Sequence, residues 1–283
     1  MKLIQDYLSL KDFSSVIFNN EKITLDDTLI DRVNRSFSFL EKFSANKVIY
    51  GVNTGFGPMA QYRIQPEDQL QLQYNLIRSH ASGTGNALAP IHVKAAILAR
   101  LNTLALGKSG VNISVIQLMK ELINRDITPL IFALCGVGAS GDLVQLAHLA
   151  LILIGEGEVF YKGERKLTKE VFEIEGLQPI EVKIREGLGL MNGTSVMTGI
   201  GIVNVLLADK LVDFSLQASC MINELVQAYD DHLSEELNNA KLHFGQQIIA
   251  KKMRDHLSSS VLTRNRQEHL YSGDNTEEVF KEK

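Results

Sequence analysis

Cysteine is scarce: the 283-residue chain holds two, Cys135 and Cys220. They are far apart in sequence, make no disulfide framework, and are wrongly spaced for zinc. That usage points to a reducing, cytoplasmic setting. A basic stripe is also lacking, since 29 Lys and Arg stand against 33 Asp and Glu for a formal net charge of −4. Nucleic acid is therefore not an expected partner. The seven histidines are scattered rather than clustered, so no metal is expected. The N-terminus carries Asp6 and Asp12 and has no long apolar core, unlike a signal peptide. The most apolar run, Leu143 to Ile154, contains His148 and is too short to span a bilayer, so no membrane partner is expected. There is no internal repeat, no Gly-x-Ser-x-Gly elbow and no phosphate-loop lysine.

What is present is an apolar fraction of 45%, enough for a substantial core. Helical spacing dominates. Thr24 is positioned to cap a helix carrying Leu29, Ile30, Val33, Phe37 and Leu40. Lys47 to Tyr50 reads as a short strand, followed by a loop punctuated by Gly51, Gly55 and Gly57 and closed by Pro58. Helices are expected from Pro66 to about Ser79, from Pro90 to about Leu106, and from Ser114 to Arg125. Thr128 to Phe132 reads as extended, and Leu143 to Ile154 as a buried helix. Glu158 to Arg165 reads as a β-hairpin, Thr168 as a helix cap, and Glu181 to Ile184 as another extended piece. From about Ser195 to Tyr229 a nearly continuous small and apolar helix follows, which must be buried in a bundle or an oligomer interface. The tail from Gly245 to Lys283 is charged. The expected class is mainly α with a small α/β part.

Four stretches carry candidate chemistry, and each admits a plain structural reading beside a functional one. In Cys135-Gly136-Val137-Gly138-Ala139-Ser140-Gly141-Asp142, Asp142 reads as the N-cap of the apolar helix after a flexible glycine loop. Alternatively Ala139, Ser140 and Gly141 react together: the Gly141 nitrogen closes on the Ala139 carbonyl, two waters leave, and an electrophilic alkene remains. In Tyr50-Gly51-Val52-Asn53-Thr54-Gly55-Phe56-Gly57, Tyr50 is either a core aromatic or a general base beside a mobile loop. In Gly187 to Ser195, Thr194 or Ser195 caps the long helix, or Asn192 presents its amide to a polar ligand. In Arg78-Ser79-His80-Ala81-Ser82-Gly83, Ser79 and His80 are structural, or together contact a substrate side chain.

In this order and spacing the stretches resemble the aromatic amino acid ammonia-lyases, which act on histidine, phenylalanine or tyrosine. Gly138-Ala139-Ser140-Gly141-Asp142-Leu143 resembles the family's cofactor-forming motif, Tyr50 to Gly57 its tyrosine loop, and Glu186-Gly187-Leu188 to Asn192-Gly193-Thr194 its third signature. Arg78-Ser79-His80 and His269-Leu270-Tyr271-Ser272-Gly273 extend the likeness, which is closest to bacterial tyrosine enzymes. The resemblance implies an α/β region over residues 1–194 that carries the prosthetic loop, and the start of an L-aspartase-like helical bundle over 195–283. It implies that Ala139, Ser140 and Gly141 form 4-methylidene-imidazol-5-one (MIO), without a metal. Tyr50 would remove the β-proton, Asn192 would hold or polarise the MIO, and Gly57 would bring loop backbone to the site. Ser79 and His80 would select the ring, with L-tyrosine going to p-coumarate as the expected reaction and L-histidine to urocanate as the alternative. Family members are homotetramers, so a homo-oligomer is expected.

Two features depart from the family pattern. Ala133-Leu134-Cys135 stands where the family usually carries polar residues with glycine or serine. Family members also run to roughly twice this length, so the chain is expected to be a fragment or a split subunit. Such a chain is expected to be inactive alone and to need a C-terminal half in trans; a non-catalytic remnant is the alternative.

Overall fold

The computed structural model describes residues 1–45 and 47–266; His269 to Gly273 and the acidic tail positions Glu268, Glu277 and Glu278 lie outside them. The chain forms two compact units, Met1–Leu206 and Leu207–Lys283, and the longest helix runs from one into the other.

The first unit opens with β1 (Lys2–Ile4), α1 (Leu10–Phe18), β2 (Ile23–Leu25) and α2 (Asp27–Ser44), with β1 and β2 paired in parallel. A Ser9–Asp12 capping box starts α1. The α2 cap is Asp26, whose carboxylate accepts from the Thr28 N–H at 2.9 Å; Thr24, the expected cap, sits in β2. Helices α3 (Pro66–His80) and α4 (Pro90–Ala105) each begin on proline, whose missing N–H costs nothing in a first turn. Helix α5 (Ile113–Asn124) is capped by Asn112, which accepts from the Ser114 N–H at 3.0 Å, rather than by Ser114.

Between α3 and α4 runs β3 (Thr84–Ala87). After α5 come β4 (Thr128–Pro129), β5 (Phe132–Leu134), α6 (Leu143–Leu153), β6 (Glu158–Tyr161) and β7 (Glu164–Leu167). The hairpin of β6 and β7 extends onto β4 as an antiparallel three-stranded sheet, and β3 pairs antiparallel with β5. Thr168 is the first residue of α7 (Thr168–Glu175), with Leu167 at the cap position. Residues 181–184 join no sheet, contrary to expectation, and lead into α8 (Glu186–Met191).

Helices α4 and α6 form the centre. Val93 to Leu101 are buried without interruption, and so are Leu146 to Ala150. Burial on all sides erases the one-faced pattern of a surface helix. The two cations this places inside α4 are held individually. Lys94 reaches Asn20 Oδ1 at 2.8 Å and Asp126 Oδ1 at 3.0 Å, and Arg100 donates to the Gly189 carbonyl.

Helix α9 (Ser195–Leu225) is 31 residues long, and by length and composition alone it meets the description of a membrane span. Its first turns are built into the first unit's core, with Val196 and Val203 buried. Gly199 lies directly on α4: a Cβ there would be 2.5 Å from the Ala96 nitrogen. In the second unit the rest of α9 is joined by α10 (Glu235–Asn239) and α11 (Phe244–Leu257), with Lys252 paired to Asp213 at 3.0 Å. Leu211, Phe214 and Leu225 of α9 are exposed there.

The α4–α9 contact yields a test. Gly199→Ala should raise helix propensity yet lower stability by about 1–3 kcal/mol, because the added methyl meets backbone that cannot rotate away. Urea denaturation of both proteins measures it; an equal or higher midpoint for the variant would contradict the close packing.

Candidate active site

Strand β5 delivers the chain into the loop first singled out. Cys135 has φ +79°, a left-handed conformation that suits glycine, which accounts physically for glycine being usual in this segment of the family. Its Sγ lies 3.3 Å from Thr84 Oγ1 on β3, and Leu134 packs where a Cβ on Gly85 would sit, 2.8 Å from its Cδ1. Ala133 and Leu134 thus serve a ladder rung and a packing contact where polar groups were the family expectation. Gly136 is pressed on the buried Gln145, whose Oε1 would be 2.5 Å from a Cβ.

The loop then opens. Gly138 has φ +76° with nothing near its Cβ position, and Ala139 and Ser140 are exposed. Gly141 is buried at φ +101°, and a Cβ on it would lie 2.2 Å from the Gly193 oxygen. No other residue fits there. Two bends flanking two small, unencumbered residues are what closure of the Gly141 nitrogen on the Ala139 carbonyl requires, so the residues present fit an MIO.

Asp142 stands at the N-cap position of α6, as the plain reading has it, but its side chain makes no capping bond there. Its Oδ2 accepts from the N–H groups of Val196 and Met197 at 2.8 and 2.9 Å, so it caps α9 across 54 residues of sequence. Its own N–H donates to the Gly193 oxygen at 2.7 Å. Thr194 and Ser195, the candidate caps, precede and open α9. On the other side of this contact stands Arg100: a Cβ on Gly193 would be 2.2 Å from its Nη1. Arg100 is 3% exposed, and burial pushes its guanidinium down to about 10, opposed by the charge of Asp142.

The third signature also holds the tyrosine loop. Gln73 of α3 accepts from the Gly187 N–H at 3.0 Å and donates to the Gly51 oxygen at 3.4 Å. Asn53 ties the loop to itself through the Ile49 N–H and the Lys47 oxygen. Residues 47–50 form no strand, contrary to expectation, and the Ile49 N–H and Lys47 oxygen bond the Asn53 side chain instead of a ladder. Tyr50 is half exposed rather than a core aromatic; its ring meets Phe56 edge-on, and its phenol oxygen accepts from the Gly57 N–H at 3.1 Å. Glu186, fully buried at the start of α8, accepts from Asn112 and Lys183 N–H groups, and burial pushes its carboxyl up.

Ser79 and His80 end α3. His80 Nδ1 lies 2.9 Å from the Leu76 oxygen and 3.1 Å from Ser79 Oγ. A carbonyl only accepts, so Nδ1 carries a proton, and in the neutral ring Nε2 is then the acceptor. Just beyond, the Gly83 N–H donates to Nε2 of buried His148 at 3.0 Å, and Phe132 meets that imidazole edge-on. Asn192 closes α8 with an exposed side chain. Bonds and contacts therefore join 141 to 193, 51 to 187, and the 79–83 segment to the strand entering the loop. Gln73, Arg100 and Gln145 were missed in the sequence; each is a polar residue inside a helix that is otherwise apolar at that face, and that was the available signal. Among the described residues no group of His, Cys, Asp and Glu is placed to hold a metal.

A mainly helical unit whose glycine loop is clamped to the start of a long bundle helix defines the class. Residues 8–276 match the aromatic amino acid lyase family, and the chain belongs to it. It is 39% identical over 257 residues to histidine ammonia-lyase of Shouchella clausii, covering 90% of this chain and 51% of that protein. It is 39% identical over 269 residues to tyrosine 2,3-aminomutase of Chondromyces crocatus, covering 95% and 51%. Among solved structures, tyrosine aminomutase of Streptomyces globisporus superposes with TM-score 0.87 at 32% identity over 94% of this chain and 51% of that one. Histidine ammonia-lyase of Trypanosoma cruzi gives 0.81 at 29% over 90% and 50%. The chain spans about half the length of the curated relatives it matches.

Two outcomes are expected. Asp142→Ala removes a helix cap and should cost about 1–2 kcal/mol, with Asp142→Asn intermediate, read from chemical denaturation; equal stabilities would show that the cap contributes nothing. His148 is pushed below its ordinary 6.5 by burial, and its Nε2 must stay unprotonated to accept from Gly83. The unfolded chain therefore takes up the proton first as pH falls. Stability is fully present above pH 6.5 and declines below it until the folded imidazole also titrates. The decline should shrink in His148→Gln, measured by denaturation across that range.

Proposed function

We propose that this chain supplies the electrophile-bearing part of an aromatic amino acid ammonia-lyase site. The carrying observation is the seat of Gly141 on Gly193, which fixes one end of an otherwise open Ala139-Ser140 segment. Closing the Gly141 nitrogen on the Ala139 carbonyl carbon releases one water, and loss of the Ser140 hydroxyl with its α-hydrogen releases the second. The MIO, once formed from Ala139, Ser140 and Gly141, would supply the electrophilic chemistry that favours departure of ammonia. An unactivated β C–H is too weak an acid for a side-chain base alone, which is why such a group is needed.

The chain's own residues take the remaining tasks. Tyr50 receives the β-proton, and the Gly57 N–H holds its phenol oxygen in place. Asn192, adjoining Gly193, orients or polarises the prosthetic group. His80 Nε2, left as an acceptor, suits a substrate ring that bears an O–H or N–H. This favours tyrosine and histidine alike over phenylalanine, and both relatives named for those substrates support that pair. A second reading rests on the aminomutase relatives: the same elimination followed by return of the amine to the β-carbon.

Activity in this reading requires what the relatives carry in their other half, in a homo-oligomer whose subunits share sites. The exposed Leu211, Phe214 and Leu225 support it, as an apolar surface of that kind calls for a partner.

The test is co-expression of the full chain with the unmatched C-terminal part of the S. clausii relative. The purified complex is then given L-tyrosine and L-histidine in turn. p-Coumarate or urocanate is expected, a β-amino acid marks the second reading, and Tyr50→Phe should lower the rate by at least about 100-fold. A folded complex that forms none of these products overturns the proposal.

A further inference from the structure

Beside Gly193 a cavity of about 500 Å³ opens between α4, the turn before α8 and the first turns of α9. None of residues 136–141 lines it, but Asn192 and Gly193 do, so it adjoins the seat of the loop without including the loop itself. Arg100, Lys108 and Arg185 line it, and no Asp or Glu does. Arg100 is nine-tenths buried and more, and its Nε has no partner; Arg185 Nε is likewise buried and unpartnered. The Gly189 carbonyl and the charge of Asp142 offset only part of the desolvation cost of Arg100, and an anion in the cavity would offset more. Asn102, also on the wall, has a buried Oδ1 with no donor. Ser195 and Thr198 add hydroxyls.

We propose that this cavity binds a small oxyanion of the phosphate class. Three cations without a lining carboxylate call for more than one negative charge. The orphaned Asn102 acceptor calls for a ligand that also carries a proton, as hydrogen phosphate does and a carboxylate does not. Leu8, Phe13 and Ile202 on the same wall leave room for an organic group on a phosphate ester.

The test uses the full chain with inorganic phosphate and phenyl phosphate as probes, each against chloride at matched ionic strength. Saturable thermal stabilisation is expected, reaching roughly 3–6 °C near tenfold the dissociation constant. Lys108→Gln and Arg185→Gln should each weaken the apparent affinity about tenfold. Lys108 is exposed, so its variant retains the fold and carries the test even where Arg185→Gln does not. Tighter binding of phenyl phosphate assigns a phosphate ester, and tighter binding of inorganic phosphate assigns the free anion. Absence of saturation with both probes, or identical shifts in Lys108→Gln and the unaltered chain, overturns the proposal.

Discussion

The clasp between Asp142 and the start of α9 is the constraint on which the site depends. One carboxylate satisfies two N–H groups at the head of a 31-residue helix, and the adjoining backbone N–H fixes the Gly193 oxygen. The Gly141–Gly193 approach follows, and it leaves no space for a side chain at either residue. Arg100 stands behind Gly193, so the contact is buttressed from the core helix as well. A loop that would otherwise be free is anchored at its C-terminal end, while Ala139 and Ser140 stay exposed. Rigidity at one end and freedom in the middle is the combination that a backbone cyclisation needs.

The same economy of contacts links the other motifs. Gln73 spans from Gly51 to Gly187, so the tyrosine loop and the third signature share a buried amide. The β3–β5 pair carries the segment after Ser79 and His80 to the strand that enters the prosthetic loop. Each link uses a polar group inside the core, where an unpaired donor or acceptor is costly. Displacing one motif therefore disturbs the next.

Much of this was legible in the sequence. The proline-led α3 and α4, the apolar α6, the hairpin and the long α9 follow from periodicity and turn chemistry, and the family follows from motif order. The mistakes share one cause, which is that local signals were outcompeted by partners distant in sequence. Asp142 stands at the cap of the helix beside it, as read, but spends its side chain on one far away. Thr24 has cap chemistry but is drawn into a parallel strand with Lys2 to Ile4. Lys47 to Tyr50 has strand composition, yet Asn53 takes its backbone bonds. Arg100 was not singled out because its partners are backbone and a distant carboxylate, neither of which periodicity can report. α11 fell within a stretch read only as charged, where Lys251, Lys252 and Arg254 obscured a helix beginning at Phe244.

The central claim is that Ala139, Ser140 and Gly141 are the source of a prosthetic group, with Gly141 held by the Asp142 clasp. Intact-mass spectrometry of the purified full chain addresses it directly. The account predicts a mass lower than the sequence mass by two water molecules, localised by proteolysis to the peptide spanning residues 139–141, and an unshifted mass in Ser140→Ala. A full sequence mass for the unaltered, folded chain would contradict it.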